Sequence, residues 1–408
     1  AYEIGVRLVG SEMCIRDSCD PIKQELVMDS AQKLDVILEQ LKGVSETKPA
    51  DARMLDPSYY HSDELFELEK ERIFSKEWIC LARIEQIDKP GDFVTVRLLD
   101  EPIVIVRQED GSVKALSNVC RHRYYPVAEG QGSTRFFACP YHKWTYKLDG
   151  TLKGAPGMNN SSFDLSNCRL PELPTEVWMG FVFVNLDLNA EPLAPRLSSL
   201  TERVASYHLD QWKAPCIFDE RWNGNWKLAC ENALDSYHHM GLHEHSVQVT
   251  MPGLGTEFVE AYKAWNYHRT PFNEKGVNQA NEQAPEVVAR LEPRDASAMN
   301  AIFVYPNLVI PLLPFGANWL SFVPESIDRT WVFTGMAMDK SILDPIDDHV
   351  ALGVATQKSL AGINLEDSLG TSELQRTTRS AFIERGAICE KELGVFHFYK
   401  YLARRLTS

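Results

Sequence analysis

Cys120-Arg121-His122, followed after sixteen intervening residues by Cys139-Pro140-Tyr141-His142, is the stretch that decides how this chain is read. Two short loops each supply one sulfur and one nitrogen ligand. Cysteine alone would suit zinc or an all-thiolate iron–sulfur cluster. The mixed set suits a Rieske 2Fe-2S cluster, in which two histidines replace two cysteines on one iron. Zinc is the competing reading, since Cys2His2 is also a structural zinc set. Zinc fingers, however, pair Cys with Cys on one element and His with His on another, and each knuckle here is mixed.

The surrounding residues carry a resemblance. Cys120-Arg121-His122-Arg123 and Cys139-Pro140-Tyr141-His142-Lys143-Trp144 resemble the Rieske motif of the ring-hydroxylating, non-heme iron oxygenases. Respiratory-chain Rieske proteins add a cysteine to each loop for a disulfide. Tyr125 and Tyr141 stand at those places here, so that bridge cannot form, which favours the oxygenase or ferredoxin type. The family usually has Gly after each run, where this chain has Tyr124 and Lys143. Gly tolerates close approach and unusual backbone angles, so these two loops are expected to be shaped slightly differently. Lys143 either tunes the cluster through its charge or is an ordinary solvated lysine.

At 408 residues, the chain holds two ordinary domains or one large one with an insertion. Its 44% apolar and 24% charged content is that of a globular protein. No uninterrupted apolar run approaches the ~20 residues of a membrane span. A net charge of −15 argues against general nucleic-acid binding. The nine cysteines do not form a secreted framework: Cys80, Cys168, Cys216, Cys230 and Cys389 are scattered and read as buried thiols. A labile cluster and free thiols favour a cytoplasmic setting. Residues 1–27 lack both a secretory apolar centre and any periodicity that continues past Val27. They resemble translated adapter read-through and read as a non-native leader, with Met28 a plausible start.

Residues 28–77 read as an N-terminal helical segment packing on the catalytic domain, with helices over Ser30–Leu41 and Ser62–Ile73 and Ser62 as a cap. From 78 to 195 the texture is short apolar runs separated by turn signals, an all-β domain holding both cluster loops. Residues 196–408 mix blocks of helix and strand, an α+β domain with an antiparallel sheet. Asp347–Leu360 and Glu366–Phe382 read as two helices, and Gly394–Leu406 as an aromatic final helix. Asn273–Pro293 is polar and reads as a mobile surface segment or lid.

A second group of ligand-type residues runs from Glu231 to His245. Four of the eleven histidines, His238, His239, His243 and His245, sit within eight residues. A His-rich surface patch is the plain alternative, but Leu234, Tyr237, Met240 and Leu242 imply burial, and buried imidazoles and carboxylates need partners or a metal. Helix geometry does not choose among them. His239 and His243 share a helical face, whereas His238 and His243 are five apart and converge only if the helix ends or distorts between them. Gly241 sits where it can. Here the resemblance chooses: Asp235-x2-His238-x4-His243 is similar to the oxygenases' mononuclear iron motif. It implies His238 and His243 as iron ligands and Asp235 as the carboxylate bridging to the cluster of a neighbouring subunit. His239 is then structural. A two-His Fe(II) site needs one carboxylate and open positions for O2. The resemblance places it at Asp367 of Asn364-Leu365-Glu366-Asp367, with Glu366 and the pair Asp347-Asp348 as alternatives. Taken alone, such an Asp reads as a helix cap.

The resemblance covers about Met54 to Leu406. It implies a Rieske domain ahead of a helix-grip catalytic domain, and a terminal oxygenase that hydroxylates or demethylates a small organic substrate. NAD(P)H electrons arrive through a separate flavin/iron–sulfur reductase or ferredoxin. Transfer runs from His142 of one subunit through Asp235 of the next, which implies a homotrimer closed head to tail. The rival is a Rieske electron carrier with a non-catalytic second domain. For the substrate pocket, the aromatic residues Trp265, Tyr267, Phe303, Tyr305, Phe315 and Trp319 are the candidates. They would cage a quaternary ammonium or stack on an aromatic ring, unless they are sheet core.

Overall fold

A computed structural model of the chain describes residues 30–159, 162 and 164–408, so the leader over 1–27 lies outside the described residues. The short apolar runs after Trp78 form strands β1 Ile79–Arg83, β2 Asp92–Leu98, β3 Glu101–Arg107, β4 Val113–Ser117, β5 Gln131–Ser133, β6 Phe137–Ala138, β7 Thr145–Tyr146, β8 Leu152–Gly154, β9 Glu172–Leu173, β10 Thr175–Trp178 and β11 Phe181–Val184. They make three antiparallel sheets, ordered β5-β2-β3-β4-β9, β6-β7-β8 and β1-β11-β10. Val104, Leu116, Phe137, Trp144 and Tyr146 close a small core that also holds Cys120 and Cys139. The first cluster loop joins β4 to β5 and the second joins β6 to β7.

The rest of the chain is built on one seven-stranded antiparallel sheet. Its strands are β12 Lys213–Trp222, β13 Glu257–Ala261, β14 Trp265–Pro271, β15 Ala298–Val304, β16 Leu308–Leu313, β17 Gly316–Ser326 and β18 Arg329–Met338. Their order is β12-β18-β17-β16-β15-β14-β13. Side chains alternate between faces with a period of two, so the sheet buries two different layers. One contains Trp265, Tyr267, Ile302, Ile310, Trp319 and Phe333. The other contains Phe303, Val309, Leu320, Phe322 and Val332, under the helices Trp226–Leu234 and Leu393–Leu406. Phe398 and Tyr401 of the final helix stack on Tyr305 at 6.4 and 4.6 Å. This is the α+β architecture that the sequence implies.

Three helical expectations are revised. Asp347–Leu360 and Glu366–Phe382 are not separate: a single helix runs from His349 to Thr377, and Asp348 caps it by accepting from the Ala351 N–H at 2.8 Å. Gly362 costs about 1 kcal/mol in a helix interior, too little to break one whose Leu360, Asn364 and Asp367 are buried. Asn273–Pro293 is not irregular either; it folds into the helices Glu274–Gln283 and Pro285–Arg290, and Pro293 opens a third. Ala280, Ala284 and Val287 bury its apolar side, which the polar composition masked. The helix Trp226–Leu234 ends before Asp235, not near Gly241, and a 3-10 turn over Ser236–Met240 follows.

The N-terminal helices Ser30–Glu46 and Asp63–Glu69 lie against the catalytic elements. Ser62 caps the second, accepting from the Leu65 N–H at 3.2 Å. Glu69 forms a buried ion pair with Lys227 at 2.5 Å and accepts from the Trp226 indole at 2.7 Å. The Tyr60 hydroxyl donates to Glu231 at 2.9 Å, and the Tyr60 carbonyl accepts from Gln375 at 3.0 Å. One tyrosine thus ties together the two helices that carry the second site.

Candidate metal centres

The two cysteine–histidine loops are built alike. The Cys120 N–H donates to the Tyr125 carbonyl at 2.9 Å, and the Cys139 N–H donates to the Trp144 carbonyl at 2.8 Å. In return the Tyr124 and Lys143 N–H groups donate to the Cys120 and Cys139 carbonyls at 3.1 and 2.9 Å. Closing that ring puts Tyr124 and Lys143 at φ +60, the left-handed region that favours Gly. Substituting Gly has therefore not reshaped these loops; both residues keep the backbone glycine would adopt. Tyr124 is 84% exposed, so its side chain gains little there.

Cys120 and Cys139 are buried, while His142 is exposed. The sulfurs point inward and the imidazoles toward the surface, with ring centroids of His122 and His142 4.7 Å apart. Trp144 stacks flat on His122 at 4.9 Å. His122 Nδ1 is buried with no hydrogen-bond partner, an orphan that a metal would satisfy. Tyr146 accepts from the Arg121 N–H at 3.0 Å, which leaves its own O–H to donate to Cys120 Sγ at 3.4 Å. Tyr125 and Tyr141, at the places of the absent disulfide, meet ring to ring at 5.7 Å. The donor set and the orphan nitrogen fit a Rieske cluster.

At the second site the break after Leu234 turns His238 and His243 toward one point, where Asp367 arrives from the middle of the long helix. One ligand atom from each of these three lies within 4.8 Å of the others. Asp367 Oδ1 is 3.0 Å from His243 Nε2 and 3.5 Å from His238 Nε2, and it accepts from Asn232 at 2.7 Å. Asp235 Oδ2 stands 3.8 Å from His238 Nδ1 on the other side of the ring. Both His238 nitrogens are buried without a true hydrogen bond. Burial works to lower the His238 pKa, but Asp235 and Asp367 raise it to about 9. Burial works to raise Asp367, but the two imidazoles hold it well below the carboxylate range. The pocket therefore demands positive charge, and a two-His, one-carboxylate set of this shape fits Fe(II).

The neighbours separate into roles. Glu366 is not in the ligand group. Its Oε2 holds His243 Nδ1 at 2.5 Å and accepts from Ser246 Oγ at 2.6 Å, the carboxylate–histidine arrangement that fixes a ligand's tautomer and orientation. Asp347 and Asp348 lie at the far end of the helix, where Asp348 is its cap. His239 Nδ1 pairs with the Met251 carbonyl at 3.1 Å. Burial, with the His238 charge, lowers its pKa to about 3, so it stays neutral and outside the group.

A cavity of about 1010 Å³ opens over the triad. Of the six aromatic pocket candidates only Phe315 lines it. Trp265, Tyr267 and Trp319 sit in the core on the opposite sheet face. Phe303 and Tyr305 are on the near face but covered by the final helix. The walls are instead aliphatic and sulfur-bearing: Met299, Ala301, Leu313, Leu320 and Met336, with Trp222 beside the triad. Strand parity was the signal: Met299 and Ala301, like Asn318 and Leu320, fall two apart, facing one way. No helix among the described residues is long and apolar enough to cross a membrane.

Comparison with known proteins agrees with this geometry. Residues 77–175 match the Rieske [2Fe-2S] domain model, and residues 199–408 match the model of the ring hydroxylating alpha subunit catalytic domain. The chain is 38% identical over 273 residues to the carnitine monooxygenase oxygenase subunit of Acinetobacter pittii (strain PHEA-2), covering 65% of this chain and 70% of that one. It is 29% identical over 388 residues to the glycine betaine monooxygenase oxygenase subunit of Pseudomonas aeruginosa (strain PAO1), covering 87% and 89%. The crystal structure of the quaternary ammonium Rieske monooxygenase CntA superposes with a TM-score of 0.75 at 23% identity, covering 89% of this chain and 98% of that one. With a Rieske domain ahead of a matching catalytic domain, the chain belongs to the ring-hydroxylating alpha-subunit family of Rieske oxygenases.

Proposed function

We propose that this terminal oxygenase inserts oxygen from O2 into a C–H bond of a small organic molecule, giving a hydroxylated or demethylated product. One C–H group, O2, two electrons and two protons become C–OH and water. The observation that carries the reading is the convergence of His238, His243 and Asp367 on the wall of an apolar cavity, in a chain that also carries the mixed Cys/His loops.

Cys120 and Cys139 would hold one cluster iron and His122 and His142 the other; His238, His243 and Asp367 would hold the mononuclear Fe(II). When bound, the cluster supplies single electrons and the iron an open site for reducing O2. The chain's own residues orient and protect. Glu366 and Ser246 fix the His243 ring, and Asn232 fixes Asp367. The aliphatic walls exclude water from the reacting carbon. Asp235 braces His238 and, in a homotrimer, faces His142 of the next subunit. NAD(P)H electrons arrive through a separate flavin/iron–sulfur reductase or ferredoxin. The free thiols among the described residues suit a reducing cytoplasm.

The test is reconstitution with a reductase, NADH and O2 across a panel of N-methyl compounds and aromatics. Substrate-dependent product formation that His238→Ala abolishes, with the cluster retained, supports the reading. Turnover surviving in His238→Ala, or lost together with the iron in His239→Ala, overturns the assigned ligand register.

A further inference from the structure

We infer that the substrate carries an anionic group, a carboxylate or sulfonate, which Lys275 and Lys358 hold at the mouth of the cavity while the apolar end reaches the metal. The inference rests on the oxygenase reading and names the substrate class of the same site.

The charge inventory of the cavity leads there. Its carboxylates are Asp235, Glu366 and Asp367, and each faces an imidazole: Asp235 that of His238, Glu366 that of His243, Asp367 both. None is left to pair with a substrate cation. The cavity's aromatic side chains, imidazoles aside, are Trp222 and Phe315, and these do not make the several-sided cage that holds a quaternary ammonium by its π faces. Lys275 and Lys358 also line the cavity, and both are exposed without an ion-pair partner among the described residues. Two uncompensated ammonium groups at one opening focus positive potential there.

Position supports the same reading. Lys275 stands in the first turn of the helix Glu274–Gln283, and Gln279, one turn on, lines the cavity with it. Lys358 stands on the helix that carries Asp367. Nine residues separate them, about 13 Å along the axis at 1.5 Å per residue. The cationic and metal-binding ends of the cavity are thus set apart, with Met299, Leu313 and Met336 among its apolar walls. A molecule spanning it has its charge at one end and its reacting carbon at the other.

The test uses the iron-loaded holoprotein without oxygen, and calorimetric binding of 3-phenylpropanoate and 4-trimethylammoniobutanoate, each beside its neutralised primary amide. At least one acid is expected to bind about tenfold more tightly than its amide, the range that two exposed ion pairs give. Raising the salt concentration weakens that preference. Lys275→Met with Lys358→Met removes it and leaves amide binding unchanged. Acid and amide binding alike, neither acid binding at millimolar concentration, or a preference that survives the double variant overturns the inference. Because the readout is binding, failure here leaves the oxygenase reading standing. That reading fails separately, if no compound in the reconstitution panel yields oxygenated product.

Discussion

Replacing Tyr124 and Lys143 with Gly should stabilise the protein, although glycine usually does the reverse. Both residues sit at φ +60 because each N–H closes a ring onto the carbonyl of the cluster cysteine four residues earlier. Holding an L-residue in the left-handed region costs roughly 1–2 kcal/mol. Glycine removes that cost but loses about 0.5–1 kcal/mol through greater freedom of the unfolded chain. The difference is about 0.5–1 kcal/mol per site. Little side-chain contact is sacrificed, since Tyr124 is 84% exposed and Lys143 is also exposed. Both ring-closing hydrogen bonds are made by backbone groups that glycine retains. A stabilisation of 1 kcal/mol raises Tm by about 2–4 °C in a domain of 150–250 residues. The assay is thermal loss of cluster absorbance in the two Gly variants, with Tyr124→Ala and Lys143→Ala as controls that keep the backbone cost. Gly variants no more stable than the Ala variants would refute the claim that these positions are strained.

Three further outcomes rest on particular contacts. Glu366→Gln should weaken mononuclear iron binding by about 10–100-fold, as loss of an outer-sphere carboxylate does, with the cluster spectrum unchanged; iron titration checks this, and unchanged affinity contradicts it. Tyr146→Phe should lower the cluster potential, because the hydroxyl donates to Cys120 Sγ; a net hydrogen bond of about 1 kcal/mol corresponds to roughly 40 mV for one electron, and redox titration reads it. Burial raises Glu231 to about 8, despite hydrogen bonding from Tyr60. Its contribution is therefore fully present below its unfolded pKa, near 4.3, and is lost as pH rises toward 8. Glu231→Gln should flatten that part of the stability–pH curve, where the native group costs about 1.4 kcal/mol per pH unit, and denaturant unfolding across the range tests it.

The features of the protein that were legible in the sequence are those fixed by local spacing. Cys120, His122, Cys139 and His142 lie on two short loops, so the motif itself places them. The strand texture around them arises from turn residues and short apolar runs. His238 and His243 were identifiable only through resemblance, since a regular helix would have paired His239 with His243. The break at Asp235, and the turn beyond it, cannot be read from residue periodicity. Asp367 was even less legible, because its partners lie more than a hundred residues away and Gly362 suggested a helix boundary where none exists. The aromatic pocket was misjudged for a definite reason. Which face of a strand meets the cavity depends on parity and on what covers each face, and the final helix covers Phe303 and Tyr305 while Trp319 points the other way.

The most direct test of the central claim is the metal content of the purified, reconstituted chain, read together with the EPR signal of the reduced cluster. A Rieske cluster and a separate mononuclear site predict about three irons and two acid-labile sulfides per chain. His243→Ala should fall to about two irons with the cluster signal unaltered. Two irons in the wild type, stoichiometric zinc, or a His243→Ala variant that keeps all three would contradict the account.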